Sequence, residues 1–83
     1  MTKESIFEKV REIIAKEASI DKEQVQPDSG MMSDIDLSSI EVLKLVAELE
    51  DEFSIRIPEK QLRSLVTVQD FVDFIAENAE GKD

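Results

Sequence analysis

The sequence contains no cysteine, histidine, tryptophan or tyrosine. Without thiols there is no disulfide, no thiolate nucleophile and no cysteine-based metal site. Without histidine the usual proton shuttle near neutral pH is missing, and zinc loses its other common ligand. Glycine and proline occur twice each, and neither the Walker nor the dinucleotide glycine pattern is present. No apolar run approaches the roughly 20 residues needed to span a bilayer. The N-terminal MTKESIF lacks a signal-peptide pattern. Positive charge is scarce, with 10 bases against 20 acids and a net charge of −10. Such a surface repels nucleic acid and anionic lipid and favours basic partner surfaces. These absences lead us to expect a cytoplasmic monomer with no nucleic-acid partner and no membrane span.

What is present is ordinary globular material. The chain has 83 residues, 41% of them hydrophobic, which predicts one domain over residues 1–83. A chain of this size buries only roughly 60% of its unfolded surface, so its core is small. The periodicity is helical throughout and predicts an all-α fold. Helix one is expected over Lys3–Ala18, with Ile6, Phe7, Val10, Ile13, Ile14 and Ala18 inward and Thr2 as N-cap. A long connection, Ser19–Leu37, follows, with Ile20, Val25, Met31, Met32 and Ile35 expected to pin it to the helices. Within it, Asp21 is placed to cap a short turn over Lys22–Val25. Helix two starts at Ser38 and Ser39 and runs to about Phe53. Pro58 can open a short helix over Glu59–Ser64. The last helix starts after Thr67, with Asp70 completing a weak capping box and Val68, Phe71, Val72 and Ile75 inward, joined by Phe74. The tail Ala79–Asp83 is expected to fray.

Helix two carries two apolar faces. Val42, Leu45, Val46, Leu49 and Phe53 share an arc of roughly 100°, wide enough for a core face. Ile40, Leu43 and Ala47 form a second strip roughly 140° from its centre. Glu50 and Asp51 flank that strip with Lys44 alongside, and Glu41, Glu48 and Glu52 fill the gap on the other side. Three readings remain open. The strip is buried by the long loop and the third helix, or it docks partners with an apolar patch inside a basic rim, or it lines an interior that opens to an apolar guest.

The two serines differ in what they can do. Ser38 with Glu41 fits a reciprocal capping box. Ser39 then takes the first helical position, at the positive end of the helix dipole, where a phosphate ester is electrostatically favoured. Serine is also common near helix starts for no further reason. As a nucleophile of its own active site Ser39 has no histidine base and no glycine elbow, so it can react only as another enzyme's substrate. A calcium loop starting at Asp34 fails, with Ser39 at its glycine and Leu45 at its bidentate glutamate. The paired carboxylates lie on faces that read as solvated, which leaves no glycosidase-like pair.

The stretch DIDLSSIEVLKLVAELEDEF, Asp34–Phe53, with IPEKQL and VTVQDFVDFI after it, resembles the acyl carrier proteins. It is similar to that family's D-L-G-x-D-S-L motif, acidic second helix, Ile-Pro before a short third helix, and final helix. The resemblance implies a four-helix bundle, three longer helices and a short third, and a chain that is not an enzyme. It also implies a phosphopantetheine arm on Ser39, installed from coenzyme A by a phosphopantetheinyl transferase that holds the magnesium. The arm's thiol would carry acyl groups as thioesters to partner enzymes with basic docking patches, and would supply the thiol that the sequence lacks. By the same resemblance, Ile40, Leu43 and Ala47 with Glu41, Glu48, Glu50, Asp51 and Glu52 would form the partner surface.

Three departures stand out. Ser38 takes the place of the aspartate before the modified serine, Asp36 takes the place of the motif glycine, and Lys44 stands where an acid is usual. Together they point to a specialised carrier of fatty acid, polyketide, lipid-modifying or nonribosomal peptide synthesis. The rival expectation is an unmodified acidic interaction module whose serines only cap.

Overall fold

The computed structural model describes residues 2–80, and the side chains of 79 and 80 are left aside. Four helices follow in order: α1 (Lys3–Ala18), α2 (Ser39–Phe53), α3 (Glu59–Leu62) and α4 (Val68–Glu80). The fold is all-α. Among the described residues there is no strand, only an isolated bridge between Gly30 and Thr67.

α1 begins where expected, with the Thr2 hydroxyl accepting from the Ser5 N–H at 3.1 Å. Ile6, Val10 and Ile14 are completely buried on one face, against α4 and α2. Complete burial of an aliphatic side chain of this size contributes about 2 kcal/mol. From α2 come Leu45, Val46, Leu49 and Phe53, and from α4 Val68, Phe71, Val72, Ile75 and Ala76. Val42 is only half-buried, at the margin of the predicted core face. Both α1 and α2 end on a serine in the left-handed conformation, Ser19 at φ 58° and Ser54 at φ 53°. Helices commonly stop this way on glycine, but here serine takes the place of glycine.

The long loop is stitched down by its backbone as well as by its apolar residues. A 3₁₀ turn over Lys22–Gln24 follows Asp21, whose N–H donates to the Gln24 side chain at 3.2 Å. Arg11 holds this turn to α1: its guanidinium donates to the Val25 carbonyl at 3.0 Å and lies over the Phe7 ring. Further along, Met31 N–H donates to Val66, Val68 N–H to Ser29 and Gln69 N–H to Pro27. The Thr67 hydroxyl accepts from the Asp70 N–H at 3.2 Å, and the Thr67 carbonyl accepts from Phe71. All four N–H groups that open α4 are therefore satisfied, two of them by the loop. Gly30 sits inside this crossing, and a Cβ there would collide with the Ser33 hydroxyl.

Several expectations need correction. Met32 is 56% exposed and does not pin the loop, whereas Val25, Met31, Ile35 and also Leu37 are buried. α3 spans only Glu59–Leu62, because Ser64 and Leu65 turn back in i−3 hydrogen bonds that tighten the chain beyond a helix. The link before it is extended and buries both Ile55 and Ile57. Phe74 is half-buried against the core. The fraying expected of Ala79–Asp83 lies, beyond position 80, outside the described residues, and the backbone is helical up to that point.

Candidate functional site

The start of α2 is organised by the predicted capping box. The Glu41 carboxylate accepts from the Ser38 N–H at 2.9 Å, and the Ser38 hydroxyl accepts from the Glu41 N–H at 3.3 Å. The backbone hydrogen bond from Ser38, reinforced by its hydroxyl, holds the Glu41 carboxyl below the ordinary carboxylate range. Ser38 is thereby engaged in shaping the helix end. Ser39 is exposed, and among the described residues neither its hydroxyl nor its N–H has a hydrogen-bond partner. The N–H of Ile40 is equally open, so the positive end of the helix faces solvent beside the Ser39 hydroxyl.

Ser39 also stands on the edge of an apolar cleft of about 440 Å³. One wall is α2, through Val42 and Leu43. The other walls are the loop at Met31–Ser33 and the segment from Leu62 to Val66. The loop and α3 thus approach the second strip of α2 without covering it. Ile40 is 67% exposed, Leu43 is 58% exposed, and Ala47 is exposed too. Of the three readings, burial of the strip is overturned: short α3 is too small to cover it, and Met32 turns outward. Leu43 lines the cleft and Ile40 and Ala47 do not, so the strip divides between cleft wall and outer surface.

The acids around α2 have unequal freedom. Glu41 is held in the capping box. Glu50 is half-buried, and its carboxylate accepts from the Ile57 N–H at 2.7 Å, which anchors the extended link after the helix. Glu52 pairs with Lys9 of α1 at 3.2 Å. Glu48 and Asp51 are exposed, and no hydrogen bond or ion pair engages either among the described residues. No group of acidic side chains among the described residues is placed to hold a metal ion. Also among the described residues, no helix is long and apolar enough to cross a membrane.

A phosphodiester arm fits this arrangement. The Ser39 hydroxyl is open to another enzyme, two unpaired N–H groups lie beside it, and an apolar cleft adjoins it for whatever the arm bears. Sequence reasoning missed Met32, Arg63, Leu65 and Val66 as cleft residues. They come together only through the loop-to-α4 pairing, and spacing along the chain carries no sign of it.

Comparison with known proteins points the same way. Residues 8–75 match the profile of a family described as the phosphopantetheine attachment site. The acyl carrier protein of Myxococcus xanthus is 39% identical over 74 residues, covering 89% of this chain and 94% of that one. That of Micrococcus luteus is 39% identical over 74 residues, covering 89% and 91%. A solved structure of the acyl carrier protein from Enterococcus faecalis superposes with a TM-score of 0.80 at 36% identity, covering 94% of this chain and 99% of its own.

Proposed function

This chain belongs to the acyl carrier protein family, whose members carry phosphopantetheine and are not enzymes, and on that premise we propose that Ser39 is its attachment residue. The observation that carries the reading is the contrast between two adjacent serines. Ser38 is engaged as a cap, while Ser39 is exposed, unbonded and on the edge of an apolar cleft. We also propose that residues 1–83 act as one carrier domain and that α2 is the face offered to partner enzymes.

In loading, the Ser39 oxygen forms a bond to the phosphorus of coenzyme A that bears the pantetheine. The phosphoanhydride bond to the adenosine bisphosphate portion breaks, and that portion leaves with the electron pair. The hydroxyl proton passes to a base of the transferase, which also holds the magnesium. This chain's part is to present the oxygen on a rigid helix end whose dipole favours the phosphate. Once bound, the arm supplies a terminal thiol on which an acyl group is carried as a thioester. The exposed strip Ile40, Leu43 and Ala47 supplies apolar contact, and Glu48 and Asp51 supply free charge for a basic rim. Glu41, Glu50 and Glu52 contribute to the same field while holding the helix start, the following link and α1. Ser38 and Asp36 at the motif, with Lys44 on α2, favour a specialised carrier of fatty acid, polyketide, lipid-modifying or nonribosomal peptide synthesis.

Intact mass after incubation with coenzyme A, magnesium and a broad-specificity transferase tests the attachment. We expect a gain of one phosphopantetheinyl unit that Ser39→Ala abolishes and Ser38→Ala retains. No gain from a folded protein with several transferases would leave the unmodified interaction module as the reading.

A further inference from the structure

Arg63 is the only cation among the residues lining the cleft that Ser39 borders. It is exposed, and among the described residues it has no ion-pair or hydrogen-bond partner through its side chain. Among the described residues Lys3, Lys9 and Arg11 are paired, and of the bases that are not, Arg63 alone borders the cleft. Glu59 stands four residues before Arg63, at the spacing that favours an ion pair on a helix, yet no such pair is present among the described residues. Arg63 lines the cleft together with the apolar residues Leu62, Leu65 and Val66, and an arginine can lay its aliphatic stem on such a surface while its charged head stays in water. Lys44 cannot take this place, since it is on α2 outside the cleft and its charge acts on Glu41.

We propose that Arg63 is a positioning residue for the phosphopantetheine arm: its guanidinium pairs with the phosphodiester on Ser39 and turns the arm along the cleft. The proposal rests on Ser39 being the attachment residue. A guanidinium matches two phosphate oxygens at once, and among the described residues no other cation borders the cleft. Because the phosphate is tethered beside the same cleft, the pair forms at an effective concentration in the millimolar range, with no separate binding event. An exposed pair of this kind shifts a population up to about fivefold, enough to bias where a flexible arm spends its time. The arm would then lie over Leu43 and Val66 instead of sampling solvent evenly.

The missing cysteines make this directly measurable, because a thiol-reactive probe on the loaded protein can attach only to the arm. Wild type, Arg63→Gln and Arg63→Lys are loaded from coenzyme A, checked by mass, and labelled on the arm's thiol with a nitroxide maleimide. Broadening of the amide signals of Met32, Leu43 and Val66 then reports the arm in the cleft, and the phosphorus resonance reports the phosphodiester. We expect broadening in the wild type that falls about two- to fivefold in Arg63→Gln and at high salt, with the lysine variant between. The phosphorus signal should shift between wild type and Arg63→Gln, whose unlabelled, unloaded spectrum should match the wild-type fold. Unchanged broadening and an unchanged phosphorus signal in loaded Arg63→Gln would overturn the role of Arg63 and leave the attachment standing. No mass gain in any of the three would overturn the attachment itself, and the role of Arg63 with it.

Discussion

Asp36 has a backbone φ of 66°, in the left-handed region that most residues avoid. It takes the place of the glycine in the motif this sequence resembles, and its φ gives that glycine a physical reason. Aspartate tolerates the conformation better than most residues because its short side chain can bond locally, but glycine tolerates it at no steric cost. Asp36→Gly should therefore stabilise the protein by about 0.5–1 kcal/mol, after allowing for the greater freedom glycine gives the unfolded chain. Urea unfolding checks this: the midpoint should rise at an unchanged slope, and a fall in the midpoint would refute it. The sequence alone exposed the identity of the residue at this point and not its φ. A backbone angle inside a loop is set by what the loop must reach, here Met31 and Val66, and local preference gives little sign of it.

At the scale of elements, the helix starts were legible because each is written in a few adjacent residues. Thr2, Ser38 with Glu41, and Thr67 with Asp70 all bond as their spacing predicts. Asp70 goes further, accepting from both Val66 at 2.9 Å and Thr67 at 3.0 Å. Those backbone hydrogen bonds, Thr67 first and then Val66, hold its carboxyl below the ordinary value of 3.8. A carboxyl with a lowered folded-state pKa adds stability above its unfolded pKa and loses it as pH falls through the folded one. The contribution of Asp70 is thus complete at neutral pH and disappears on acidification below about pH 4. Asp70→Asn should lower the melting temperature at pH 7, with the gap to wild type closing toward pH 3. A gap that stays constant across that range would show that the charge of Asp70 is not what matters. Helix ends were legible from periodicity for α1 and α2, which stop at Ala18 and Phe53 as expected although Ser19 and Ser54 stand where glycine usually marks a stop, whereas α3 stops two residues early.

For the molecule as a whole, the net charge of −10 sets how partners approach, and the fold decides which charges remain available. Glu48 and Asp51 are the α2 acids left unengaged, whereas Glu50 and Glu52 also tie α2 to the following link and to α1. Glu48→Lys with Asp51→Lys should therefore slow association with a cognate transferase or synthase by roughly tenfold or more at low salt. The effect should shrink as ionic strength rises, and dissociation should change little. Stopped-flow association at two salt concentrations measures this, and unchanged on-rates at low salt would remove these two acids from the docking face. The overall bundle was legible from periodicity, because three of its helices each carry a continuous apolar face. The cleft was not legible, because it is made by contacts between residues far apart in sequence.

The crossing between the loop and the start of α4 also decides how this molecule can deform. Met31 is bonded to Val66 and Ser29 to Val68, so the two cleft walls that do not belong to α2 share a backbone seam. Prising those walls apart would break the seam, whereas swinging both away from Val42 and Leu43 breaks none of its bonds. Any widening that keeps the seam intact must therefore run along α2, at the mouth on whose edge Ser39 stands.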